Sequence, residues 1–362
     1  MALEIESEAP ASDAKKSDSF PCSVCGGQLS YDPGSSQLKC PYCGSLQQVP
    51  ESLEAKVVEH DLETYLQERT SKTWGLELTE LRCEGCGATT ETNDKFTSLN
   101  CPFCDKPLVV SDAHQAQDFI RPESVLPFAI DSGKMTESLR SWLGKRWFAP
   151  NDLKNYWEKG KIRGVYLPFW TFDAQASTQW SGDAGFYYYE RQGDRRVQKV
   201  RWEYREGARE DAFDDTLIPA STGVGLPKIR SLQPYRTQEV KPYRSEFLAG
   251  YLCERYAIGP QEAWRQAESL MLAQIKANCL RDMRADTHRN FRSSSRFRDI
   301  KIKHTLLPLY IGHYHYRGKD YAFHANGQTG KIDGQFPLSW VKILLAVLGV
   351  LAALMIFGYL GE

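Results

Sequence analysis

No apolar run opens this chain. Its first twenty residues, MALEIESEAPASDAKKSDSF, are polar and acidic, so no export signal is expected and the body is expected in a reducing compartment. G-x-x-x-x-G-K-[ST], G-x-G-x-x-G and G-x-S-x-G are also absent, which excludes a P-loop motor and gives no sign of a dinucleotide fold or a serine hydrolase. No sign of charge dominates the whole: 45 Lys and Arg stand against 46 Asp and Glu. The balance hides an asymmetry. Met1 to Cys104 carries eight bases and seventeen acids, so the remainder is basic.

Cysteine is present in quantity and in pattern. Eight of the ten cysteines fall in two copies of one device, CSVCGGQLSYDPGSSQLKCPYC (22–43) and CEGCGATTETNDKFTSLNCPFC (83–104). Each is C-x2-C, fourteen residues, then C-P-aromatic-C, and each cysteine of the second copy lies 61 positions after its counterpart. In a reducing compartment this spacing favours metal over disulfides. Structural zinc takes four ligands in a tetrahedron at about 2.3 Å per thiolate. The expected ligands are Cys22, Cys25, Cys40 and Cys43, and Cys83, Cys86, Cys101 and Cys104. Four thiolates close the coordination shell, so both sites read as structural; iron on the same thiolates is the lesser alternative. Gly26, Gly44 and Gly87 follow knuckles where a positive φ is needed, and Asp105 takes that place in the fourth. Ribbons this small bury little core; zinc supplies roughly 10–16 kcal/mol in comparable fingers.

The charges decide between partners. From Cys22 to Cys43 only Asp32 and Lys39 are charged, and the stretch 51–82 holds eight acids and four bases. Phosphate binding needs clustered Lys and Arg, so protein contact is expected ahead of nucleic acid. Residues 281–303 are the exception, with eight bases against three acids. They read as a solvated face, or as a surface attracted to anionic lipid.

Residues 343–360 form an eighteen-residue uncharged run, about 27 Å as a helix and close to a bilayer's apolar thickness. Trp340, Lys342 and Tyr359 flank it as interfacial residues do. A C-terminal transmembrane tail anchor over 338–362 is expected, single-pass in the cytoplasmic (inner) membrane, with the N-terminal body in the cytoplasm.

Between ribbon and tail the patterns predict a linking helix over 51–70, helices over 134–148 and 260–284, and strands from Val165 and again from about Ile300. Leu167-Pro168-Phe169-Trp170 and Leu307-Pro308-Leu309-Tyr310 match each other and raise a second duplication. His313, His315 and His324 could converge, though packed or solvated histidines are the commoner reading. Cys253 and Cys279 read as buried. The expected organisation is an acidic N-terminus (1–20), ribbon 1 (21–50), a helical linker (51–80), ribbon 2 (81–111), an α+β domain with antiparallel strands (112–337) and the tail.

The paired ribbons, VLPFAI (125–130), GVYLPFWTFDA (164–174), NGQTGKIDGQFP (326–337) and the tail together resemble bacterial membrane-anchored zinc-ribbon proteins. These are labelled TFIIB-type zinc-ribbon proteins or, by name only, primosomal protein N′ (replication factor Y) superfamily II helicases. The resemblance covers nearly the whole chain from Pro21. It implies two zinc ions on the eight cysteines above, and a scaffold role beside SPFH or phage-shock-type membrane-stress proteins. The expected function is a membrane-tethered, non-enzymatic zinc-ribbon adaptor that binds proteins and could self-associate. The alternative is a tethered nucleic-acid-binding protein.

Overall fold

The computed structural model describes residues 20–50, 57–68, 79–82, 89–92, 98–100, 107–109, 120, 122–155, 162–221 and 223–360. In chain order the N-terminal part gives β1 (Ser30–Asp32), β2 (Gln37–Lys39), β3 (Leu46–Gln47), β4 (His60–Asp61), α1 (Leu62–Glu68), β5 (Thr79–Arg82), β6 (Thr89–Thr92), β7 (Ser98–Asn100) and β8 (Pro107–Val109). The body follows with β9 (Ser124–Val125), α2 (Ser132–Gly144), β10 (Ile162–Gln192), β11 (Arg195–Pro219), α3 (Leu226–Leu232), β12 (Lys241–Pro242), β13 (Leu252–Glu254), α4 (Pro260–Met283), β14 (Thr287–Tyr316), β15 (Lys319–Asn326), β16 (Ile332–Gly334) and α5 (Trp340–Leu360).

The expected α+β body is corrected by this architecture. Among the described residues strands hold about 43%, and the protein is mostly β, built on a curled antiparallel sheet. Hydropathy breaks the run from Val165 into several strands, but the backbone carries it as one. In β10 the stretch DAQASTQWSGDAG alternates small inward residues with short polar outward ones. Ala174, Ala176, Trp180 and Ala184 are buried, while Gln175, Ser177 and Asp183 are partly open. A period of two survives with little apolar contrast, and α4 covers the inner side through Ile275, Cys279 and Met283.

The two L-P-x-aromatic motifs meet. β10 and β14 pair antiparallel from Ile162–Gly312 to Gly185–Thr287, with Leu167 opposite Leu307. Their approaches are exchanged: β9, which precedes α2 and β10, pairs parallel with β14, and β13, which precedes α4 and β14, pairs parallel with β10. Each half therefore runs short strand, helix, long strand, returning strand, and lends its short strand to the other. Trp170 lies fully buried beside this seam, 4.6 Å from the His304 ring and 6.0 Å from Tyr65.

Of the linking helix expected over 51–70, the described residues (57–68) show α1. Asp61 starts it by accepting the Thr64 amide at 3.1 Å, as N-cap residues do, and the residue pair before it is the strand β4.

Among the described residues no helix is long and apolar enough to cross a membrane. The transmembrane tail anchor and the single-pass inner-membrane location are corrected on that finding. The sequence argument needs the whole run from Ile343 to Leu360 in an apolar phase; α5 has side chains described only as far as Ile356. Its first turn belongs to the body, where Lys342 Nζ donates to the Ala149 carbonyl and to Asn151 Oδ1, both at 2.7 Å. The finding concerns helices alone.

Trp170→Ala should cost about 3–5 kcal/mol, the usual range for emptying an aromatic core site. Urea unfolding followed by far-UV circular dichroism would read it. A loss below about 1 kcal/mol would mean that the seam is not the core.

Candidate functional site

Ribbon 1 brings its four cysteines together. Cys22 and Cys25 sit in one knuckle, Cys40 and Cys43 in the other, and all four sulfurs lie within 4.8 Å of one another. The Sγ–Sγ separations are 3.6 Å for Cys22–Cys43 and 3.5 Å for Cys25–Cys40. Both are far beyond a disulfide and close to the edge of a tetrahedron with metal–sulfur bonds of about 2.3 Å, roughly 3.8 Å. The residues fit a four-thiolate metal.

The two knuckles share one backbone geometry. The Gly26 amide donates to the Cys22 carbonyl at 2.9 Å and the Gly44 amide to the Cys40 carbonyl at 3.0 Å. Both glycines take φ of +74°, as expected from their place after the second cysteine. Sequence reading missed Ser45, whose hydroxyl lies 3.0 Å from Cys22 Sγ and 3.2 Å from Cys43 Sγ. Lys106 takes its place in the second copy, so the repeat itself gives no signal for it. The Ser45 hydroxyl, then backbone amides, pull the Cys22 thiol down to about 6. At Cys25 the Gly27 amide favours the thiolate, but the Cys40 and Cys43 thiols outweigh it and push the group up to about 12. Four crowded sulfurs cannot all ionise by themselves, and a dication removes that conflict.

The ribbon is packed into the body. Leu29, Tyr31, Leu38, Cys22 and Cys40 share a core with Phe128, Tyr166, Phe247 and Tyr310. The Tyr31 amide donates to the Ala249 carbonyl at 2.9 Å, and the Tyr31 ring meets Phe247 edge-on at 5.4 Å. Gly250 makes this approach feasible: its φ is +83°, and a Cβ there would stand 2.7 Å from Ser30 Cβ. The outer rim stays open, with Val24, Tyr42 and Leu46 exposed.

Cys83, Cys86, Cys101 and Cys104 lie outside the described residues, but the strands that flank them are described. In ribbon 1, Pro21 pairs with Gln28 around the first knuckle and Lys39 with Leu46 around the second. In the second copy Arg82 pairs with Thr89 and Asn100 with Pro107. Each of these residues is 61 positions after its counterpart: 82 − 21, 89 − 28, 100 − 39 and 107 − 46. The repeat seen in the cysteines extends to backbone pairing.

A second cluster that could hold a cation was also missed. Glu59, Asp173 and Asp215 converge, brought together by the bulge between Phe172 and Ala174 and by Asp215 at φ +50°. The Lys303 ammonium already occupies it, 2.7 Å from Glu59 Oε1 and 2.6 Å from Asp215 Oδ1. Burial, then the contact with Glu59, raises the Asp173 carboxyl to about 6. With its own cation in place the cluster reads as a clasp for β4.

Among the described residues no group that could hold a metal includes His313 or His324. Ile311 pairs with His324 and His313 with Ala322. Burial, then Lys228 and His313, lower His324 to about 4, so it is neutral at physiological pH. The side chain of His315 is outside those described. Cys253 and Cys279 are both buried.

No family model matches the chain, and no solved structure matches it. A Bacillus subtilis (strain 168) protein, "Uncharacterized protein YdjG", is 25% identical over 331 residues, covering 90% of this chain and 92% of that one.

Burial governs one further group. Glu254 is 1% exposed and accepts the Ser221 hydroxyl at 2.7 Å; burial raises its carboxyl to about 8. The folded chain then holds a proton that the unfolded chain releases near pH 4.3. Its contribution is fully present below that pH and is lost as pH rises through about 8. Glu254→Gln should therefore match the native chain near pH 4.5 and exceed it at pH 8.5 by on the order of a few kcal/mol. Urea midpoints at the two pH values measure this, and equal differences at both would contradict it.

Proposed function

We propose that this protein is a non-enzymatic adaptor of the zinc-ribbon kind, in which two four-cysteine zinc sites hold small apolar surfaces in place for protein partners. The reading rests chiefly on one observation: four sulfurs gathered at tetrahedral separations, half of them sealed in the core and half at an open rim. A thiolate-saturated metal has no free coordination position for catalysis. Zinc is preferred to iron because a small ribbon gains its fold from the metal and needs no redox chemistry there.

The rim offers the contact. Val24 and Tyr42 project from the two knuckles with Leu46 beside them, and Asp32 and Lys39 are the only charges between Cys22 and Cys43. Such a patch favours a protein surface over a phosphate backbone. The partners that the family resemblance implies, SPFH and phage-shock-type assemblies, are part of this proposal. Two ribbons on one chain would combine weak contacts into avidity.

Purified protein should carry two zinc ions per chain by elemental analysis. Cys40→Ser should release one and leave the other. Absence of zinc, or loss of both ions from that one change, would refute the metal assignment. Tyr42→Ala should keep both ions and cut recovery of a bound partner by well over half; unchanged recovery would remove the rim from the proposal.

A further inference from the structure

Beyond the body the sheet narrows to three strands, and its two margins carry opposite charge at matching heights. β10 lies in the middle, antiparallel to β11 on one side and to β14 on the other, so β11 and β14 run parallel to each other. α4 covers one face of this arm; among the described residues no element covers the other. Among the described residues β11 pairs with no other strand, and β14 has no second partner from Thr287 to Ile300. Each margin thus presents a row of unpaired backbone donors and acceptors, the usual template for another strand.

On that other face the side chains form rungs. Ser181 stands opposite Arg292 on one side and Glu206 on the other. Ser177 stands opposite Arg296 and Glu210 in the same way. The β14 margin from Thr287 to Ile300 holds four arginines and one aspartate; the β11 margin from Glu203 to Asp215 holds six acids and two arginines. Those two, Arg205 and Arg209, belong to the covered side, where Arg205 donates to the Met283 carbonyl at 2.8 Å and Arg209 binds Asp211. Arg292, Arg296, Glu206 and Glu210 are exposed. Native proteins usually blunt free edges with like charge or bulges. Here one edge is positive, the other negative, and both use the same four-residue spacing.

We propose that a second copy of this chain docks its acidic β11 edge on the basic β14 edge, in parallel, continuing the sheet from copy to copy. With no slip in height, Arg292 meets the neighbour's Glu206 and Arg296 its Glu210. The contact is head-to-tail, so each copy keeps one edge of each sign free. The sheet is broader at its base than in the arm, and strands twist, so joined copies fan into a ring or a coiled filament, not a flat ribbon. This surface is separate from the ribbons and independent of their metal.

The test uses full-length protein in mild detergent, which keeps the exposed α5 from associating, with mass read by light scattering after size exclusion. The native chain should exceed its 41.2 kDa monomer at least about twofold and return toward monomer in high salt. Arg292→Glu/Arg296→Glu and Glu206→Arg/Glu210→Arg should each be monomeric alone. Mixed, they should assemble as the native chain does, in alternation, since the two intact edges fit each other and so do the two reversed edges. The chain with all four reversals should assemble again, which separates lost contact from lost fold. A native monomer at every concentration tried, single-edge variants as large as the native chain, or a mixture that stays monomeric would each overturn the proposal.

Discussion

From the Ile162–Gly312 pair to the Gly185–Thr287 pair, β10 and β14 run side by side, and almost every other element is placed by its relation to them. β11, β13, β9, β4 and β15 all pair directly with one of the two. Ribbon 1 packs on Tyr166 and Tyr310, one from each strand. α4 lies over the same strands further along. A contact between residues some 140 positions apart costs chain entropy before it returns anything. The halves offset that cost by exchanging their short strands, so that neither completes its sheet alone.

The metal centre is tied to this spine. A free ribbon has so little core that its fold belongs to its metal. Here Cys22 and Cys40 are buried in the same apolar cluster as Phe128 and Tyr166, so sulfur geometry and body packing constrain each other. Cys25 and Cys43 face outward. One half of the coordination shell is part of the core, and the other half frames the open patch.

The cysteine device was legible because it is local. Four ligands and two glycines fall within 23 residues, and chemistry fixes their spacing. The 61-residue offset also holds for the backbone pairings that flank both copies, although the second copy's cysteines lie beyond the described residues. The body was less legible. Leu167 and Leu307 could be seen to match, but nothing in a one-dimensional pattern says that they pair. The arm was read as a basic solvated stretch, and Arg292, Arg296 and Arg298 are exposed; that it is a strand went unread because Arg-Ser-Ser-Ser-Arg has strand periodicity without hydropathy contrast. The Glu59–Asp173–Asp215–Lys303 clasp draws on four separate segments and on a bulge that sequence does not announce. The tail was overread: a run of apolar letters was counted to its end, while no described helix is long and apolar enough to cross a membrane and α5 starts bound to the body.

Hydrogen exchange with and without a zinc chelator tests most directly the claim that a metal-held ribbon is docked on a two-strand spine. The account predicts slowest exchange in Val165–Phe172 and Ile302–Ile311. It predicts that chelation speeds exchange within residues 20–50 and at the Phe247–Tyr251 dock while leaving the spine protected. Spine amides that exchange as fast as the ribbon's, or a ribbon indifferent to the chelator, would contradict it.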